Sequence, residues 1–91
     1  MIDINSLFKT TPEIKIIIAN NFKKRRKEHN FSQQQLALKS GVSLGSIKRF
    51  EQIGEISLSN LIKISQILDL QNDLINLFTT PHYKDIMDLL K

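Results

Sequence analysis

An all-α fold is what this 91-residue sequence predicts. Three observations lead to it. The chain has only 3 Gly and 2 Pro, too few for the many tight turns of a β domain. Its apolar residues recur at helical spacing, and no segment alternates apolar with polar long enough to read as a strand. Several segments open on Ser or Thr in positions that cap a helix. The length corresponds to one domain with a modest core.

The elements follow in order. A first helix opens at Thr11-Pro12, with Thr as N-cap and Pro pre-set for the first helical position. It runs through "EIKIIIANNFKKRRKEHN", with Ile14, Ile17, Ile18 and Phe22 as its core stripe, and stops at Asn30. A second opens at Ser32, where "SQQQ" has the form of a capping box and Phe31 stands at the staple position, and ends at Gly41. A third is capped by Ser43, runs to about Gln52, and is ended by Ile53-Gly54. A fourth begins after Ser57 and places Leu58, Leu61, Ile62, Ser65 and Leu68 on one face. Asn72-Asp73 opens a fifth over "LINLF". Thr80-Pro81 repeats the first opening and leads into an extra C-terminal helix, where Tyr83, Ile86, Met87 and Leu90 form an i, i+3, i+4, i+7 stripe. The organisation expected is an extension over 1–10, a domain over 11–79, and a C-terminal helix over 80–91 whose stripe is a candidate dimer contact.

Composition excludes several classes of function. At 41 % hydrophobic and 24 % charged, the chain is globular rather than disordered. With no Cys, disulfides and thiolate metal sites are impossible, and a reducing cytoplasm fits. The start "MIDINSLFKTTPE" lacks the basic region and apolar run of a signal peptide. No apolar run approaches the ~18–20 residues that cross a bilayer, so no membrane is expected. His29 and His82 stand alone, without the spacing of a metal site. Neither a nucleophile motif nor a Gly-rich phosphate loop occurs, and no carboxylates are paired in a pocket. Neither an enzyme nor a cofactor is expected.

Charge is unevenly spread. Residues 1–50 hold ten Lys/Arg and three Asp/Glu, or +7, and residues 51–91 hold three and six, or −3. A basic front attracts phosphates at long range, although a charge run can also be a merely solvated surface.

The segment "SQQQLALKSGVSLGSIKRFE" carries the sharpest signal. Two short helices can cross steeply only if the turn between them is tight. Gly41 stands where the chain bends, and a Cβ there is costly. Ala37 is the small residue facing the bend. Leu36, Val42, Ile47 and Phe50 supply apolar contacts between these helices and the first. Together these positions make a helix-turn-helix, against the alternative of an ordinary αα-hairpin. The exposed face of its second helix carries Ser43, Leu44, Gly45, Ser46, Lys48, Arg49 and Gln52.

Residues 22–70 resemble the DNA-binding domain of the lambda-repressor/Cro-like (XRE) helix-turn-helix regulators. The carriers are "RRKEHNFSQQQLALKSGVSLGSIKRFE" and "GEISLSNLIKISQILDL". The resemblance implies a five-helix domain over 11–79, its third helix in the major groove, acting as a homodimer on palindromic double-stranded DNA. It implies that Gln33 contacts phosphate, unless it only serves the capping turn. It places Leu44, Gly45, Ser46 and Arg49 near base edges. Arg49 can pair bidentately with guanine or clamp a phosphate, while Ser43 and Lys48 hold the backbone. Gln52 contacts phosphate or water. Arg26 and Glu51 are implied to meet in a partly buried structural ion pair.

This sequence departs from the family pattern in three places. Leu44 cannot donate a hydrogen bond but can pack on a thymine methyl, and Gly45 costs about 1 kcal/mol in a helix interior. Both shift weight toward DNA shape. Glu55 puts an acid where the family often places a base. More narrowly, "GVSLGSIKRFE" followed by "GEISLSNLIKI" is similar to the HipB-like antitoxins. That implies repression of its own operon and neutralisation of a HipA-type kinase toxin. The alternative is a stand-alone phage-type repressor or a restriction-modification controller.

Overall fold

A computed structural model describes residues 9–81. Five helices are present among them: α1 (Thr11–Glu28), α2 (Gln33–Ser40), α3 (Leu44–Ile53), α4 (Leu58–Ile67) and α5 (Gln71–Ile75), with no strand. The C-terminal stripe Tyr83, Ile86, Met87 and Leu90 lies outside the described residues.

Local chemistry sets most boundaries. Ser32 Oγ accepts the Gln35 N–H at 3.0 Å and Gln35 Oε1 accepts the Ser32 N–H at 2.8 Å, so both halves of the capping box are made. Ser43 Oγ caps α3 through the Ser46 N–H, and Ser57 Oγ caps α4 through the Asn60 N–H, each at 3.1 Å. Two of the helices that end without glycine close on a left-handed residue directly after the cap. Asn30 takes φ 59°, with its own N–H on the Lys27 carbonyl and the Phe31 N–H on that of Arg26. Asp69 does the same at φ 57°, with its N–H on Gln66 and the Leu70 N–H on Ser65. Each is a Schellman closure, in which a left-handed residue turns the chain back on the last carbonyls.

Two starts differ from expectation. Thr10, not Thr11, caps α1: it is extended, and its Oγ1 accepts the Glu13 N–H at 3.3 Å. Pro12 therefore stands second in the helix, where an N–H is still unneeded. α5 begins at Gln71 rather than at Asn72-Asp73, and no side chain caps it. The Asp69 turn starts it at once.

α1 packs on α3, α2 on α3 and α4, and α4 on α5. The core is Ala19, Phe22, Leu36, Val42, Ile47, Phe50, Ile64 and Leu68. Each large apolar side chain among them contributes about 1.5–3 kcal/mol by leaving water. The Phe22 and Phe50 rings meet edge to face with centroids 5.4 Å apart, joining α1 to α3.

Two apolar faces are corrected. Ile14, Ile17 and Ile18 are not the core stripe of α1; they are 42–48 % exposed. The packed line is Lys15, Ala19, Phe22 and Arg26, spaced i, i+4, i+7, i+11, with the last three buried and Lys15 half-buried at the margin. Two of those four are cations that meet acids, so a search for apolar periodicity passes them by. On α4, Leu58 and Ile62 are exposed, and Ile64, Ser65 and Leu68 are buried with Leu61 packed beside them. The run "LIKI" has apolar residues on both sides of the true face, which left the choice open by one position.

Candidate nucleic-acid interface

The turn between α2 and α3 is three residues long. Gly41 stands at φ 77°, and its N–H closes on the Ala37 carbonyl at 3.0 Å. A Cβ on Gly41 would meet nothing within 4 Å, so it is the left-handed backbone and not crowding that calls for glycine. Ala37 packs half-buried against the core, and Val42 enters it directly after the bend.

These contacts fix which side of α3 faces out. Ile47, Phe50 and Glu51 point inward and are buried. Ser43, Gly45, Lys48, Arg49 and Gln52 are exposed, and Leu44 and Ser46 are half-buried at the margin. Ser43 Oγ and Ser46 Oγ share a hydrogen bond of 2.8 Å at the start of this face. Gly45 is the second residue of α3 rather than an interior one, and a Cβ there would stand in open space. Its helix penalty is correspondingly reduced, and it leaves the backbone of the first turn bare.

Behind this face lies one polar cluster. Arg26 Nε donates to Glu51 Oε2 at 2.7 Å and its terminal nitrogen to Glu51 Oε1 at 2.8 Å. The remaining guanidinium nitrogen donates to the Phe31 carbonyl at 2.7 Å. Gln33 Nε2 adds a bond to Glu51 Oε1 at 3.0 Å. The first residue of α2 is thus tied to α3 through Glu51. No buried side-chain polar atom among the described residues lacks a partner. Arg26 is consumed inside, and Arg25 pairs with Glu28 at 2.8 Å, so the basic run of α1 offers fewer free cations than its sequence suggests.

A third ion pair joins elements far apart in the chain and has no counterpart in the sequence reading. Lys15 Nζ meets Glu55 Oε1 at 2.6 Å, across forty positions. Gly54 stands beside it at φ 74°, so close that a Cβ would come within 2.5 Å of Lys15 Cβ and 2.8 Å of its backbone. The hydrogen bond and charge of Lys15 hold the Glu55 carboxyl below its ordinary range, and the charge of Arg49 adds to the lowering. Glu55 shares with Arg49, Ser46, Ile56, Ser57 and Asn60 a polar cleft between α3 and the start of α4. No local pattern announces a contact of this sequence separation; the only cue was an acid in a loop expected to be basic.

Elsewhere, the His29 and Phe31 rings stack with centroids 6.1 Å apart and planes inclined by 23°, and Lys39 sits over the Phe31 ring at 5.3 Å. Leu38 on α2 is 86 % exposed. Leu58, Ile62, Leu74, Ile75, Leu77 and Phe78 line an apolar groove along α4 and α5. Among the described residues there is no cluster that could hold a metal ion, and no helix is long and apolar enough to cross a membrane.

With this geometry in hand, comparison with known proteins gives one result. A family model described as helix-turn-helix matches residues 22–71, more than half of the chain. No curated protein and no solved structure gives a significant match.

Proposed function

The chain belongs to the lambda-repressor-like (XRE) helix-turn-helix family of DNA-binding transcription regulators, and on that premise we propose that it is a sequence-specific repressor acting as a homodimer on a palindromic operator. One observation carries this reading. α3 buries Ile47, Phe50 and Glu51 and turns Ser43, Gly45, Lys48, Arg49 and Gln52 to solvent, with the bare backbone of Gly45 between them. A helix presented in this way fits the major groove, which admits one α-helix.

The roles proposed follow the chemistry of each side chain. Arg49 contacts a base edge or the adjacent phosphate. Leu44 packs on a thymine methyl, and the Ser46 hydroxyl reaches a base or backbone group. Lys48, Ser43 and Gln52 hold phosphates. Gln33 keeps one amide hydrogen on Glu51, and its second is available to a phosphate. Two such domains in a symmetric dimer read half-sites ~34–36 Å apart.

The resemblance to the HipB-like antitoxins extends the proposal: the protein represses its own operon from the cytoplasm and neutralises a HipA-type kinase toxin. The exposed groove over α4 and α5 supports a protein partner or a second subunit, because Phe78 at its edge is 96 % exposed. Footprinting on the protein's own promoter tests the first part; protection of two half-sites one helical turn apart is expected. Co-purification with a kinase encoded in the same operon, and relief of that kinase's toxicity, tests the second. Removal of residues 83–91 is expected to shift the protein toward monomer in sedimentation, and an intact dimer would remove that segment from the interface.

A further inference from the structure

Arg49 and Glu55 carry opposite charges and share one cleft, yet among the described residues no ion pair joins them. Glu55 gives its Oε1 to Lys15 instead, at 2.6 Å. A carboxylate in a cleft with an arginine draws the guanidinium toward itself. Here one oxygen of the carboxylate is bonded to a cation from another helix, which offsets its charge. The two segments are also closely packed: Gly54 is pressed so tightly on Lys15 that not even a Cβ fits between them, which brings the loop carrying Glu55 against α1.

Building on Arg49 as a DNA contact, we infer that Lys15 is a positioning residue for DNA recognition: by occupying Glu55 it leaves Arg49 unpaired and available to the duplex. Lys15 acts on the conformation of the guanidinium and not on DNA phosphate. Without the ammonium, Glu55 is left with Arg49 as the cation lining the same cleft. An intramolecular ion pair then has to open before the arginine reaches a base edge, and apparent affinity falls with the fraction of molecules in the open state.

The experiment is a titration of two duplexes, one from the protein's own promoter region and one of scrambled sequence. The full chain is compared as wild type, Lys15→Met, Glu55→Gln and the double variant, each with Arg49 present and with Arg49→Ala. Methionine keeps an unbranched stem beside Gly54. Lys15→Gln, also neutral, gives the same reading should Lys15→Met fail to fold, and Lys15→Arg is expected to bind like wild type. Lys15→Met is expected to weaken promoter binding several fold and to narrow the preference over the scrambled duplex. Glu55→Gln alone should change little, and the double variant should recover wild-type binding. In the Arg49→Ala background Lys15→Met should have no further effect.

Wild-type affinity in both neutral Lys15 variants would overturn the inference. So would a Lys15→Met loss that persists without Arg49, since Lys15 would then act on phosphate or merely screen Glu55. If Arg49→Ala itself binds like wild type, the reading of α3 fails first, and the inference fails with it.

Discussion

Arg26 and Glu51 face each other through two parallel hydrogen bonds, 2.7 and 2.8 Å long, with 8 % and 2 % of their side chains exposed. They join α1 to the last turns of α3, and the Phe31 carbonyl and Gln33 amide fill the remaining bonds. A fork-to-fork pair of this kind fixes orientation as well as contributing energy. It sets the rotation of α3 about its axis, and with it the direction in which Arg49 and Lys48 point. Removing one partner leaves a buried charge. Arg26→Ala or Glu51→Ala is expected to cost about 3–5 kcal/mol in urea denaturation. A double replacement by apolar residues, Arg26→Met with Glu51→Leu, should cost much less than the two single losses summed. Single variants within about 1 kcal/mol of wild type would mean that the pair is no better than a surface one.

Gly41 and Gly54 have nearly the same backbone, at φ 77° and 74°, but different surroundings. Around Gly41 a Cβ finds open space, and Gly41→Ala should cost only the left-handed strain, about 1–2 kcal/mol. At Gly54 a methyl would stand 2.5 Å from Lys15 Cβ and 2.8 Å from Lys15 backbone, which cannot turn aside. Gly54→Ala should therefore lower the melting temperature clearly more than Gly41→Ala. Equal melting temperatures would show that α1 is free to move off the loop.

The contrast between what was legible in the sequence and what was not follows the range of the interactions. Ser32, Ser43 and Ser57 bond to N–H groups three residues on, and a pattern of that reach can be read from the chain. The inward face of α1 could not. Its line of Lys15, Ala19, Phe22 and Arg26 is half ionic: the acid that meets Arg26 stands twenty-five positions away and is implied only by the family resemblance, and the acid that holds Lys15, at the solvent margin of that line, stands forty away. The run of isoleucines beside that line offered a stronger apolar signal and turned out to be exposed. The site divides in the same way. The outward side of α3 followed from the turn at Gly41 and the residues it buries. The coupling of Glu55 to Lys15, and its closeness to Arg49, appears only once the helices are packed.

Arg49 and Lys48 are neighbours on the exposed side of α3, and they are expected to fail differently. Arg49→Ala should weaken operator binding by about 1–3 kcal/mol and relax the preference at one base pair of each half-site. Lys48→Ala should weaken operator and scrambled duplex alike, and should reduce the slope of log affinity against log salt by about 1. Titrations at three or more salt concentrations separate the two. If both substitutions lower affinity uniformly with the same change of slope, Arg49 is a phosphate clamp and specificity comes from elsewhere on α3.

Glu55 gives the clearest dependence on pH. Its hydrogen bond to Lys15, then the charge of that ammonium, hold its carboxyl below the ordinary value of 4.5 in the folded chain. The unfolded chain therefore binds the proton more readily than the folded one. The stabilisation is complete above pH 4.5 and drains away as pH falls through the lower folded value. Glu55→Gln cannot titrate. Wild type should be the more stable of the two at pH 7, and the gap in melting temperature should close as pH is lowered below 4.5. Both side chains are well exposed to solvent, so added salt should narrow the gap at pH 7 as well. Lys15→Met, which removes the other partner, should show the same flattened acid limb. A gap that stays constant from pH 7 to pH 3 would mean that the folded protein does not distinguish the two protonation states of Glu55. The short bond to Lys15 would then not persist in solution.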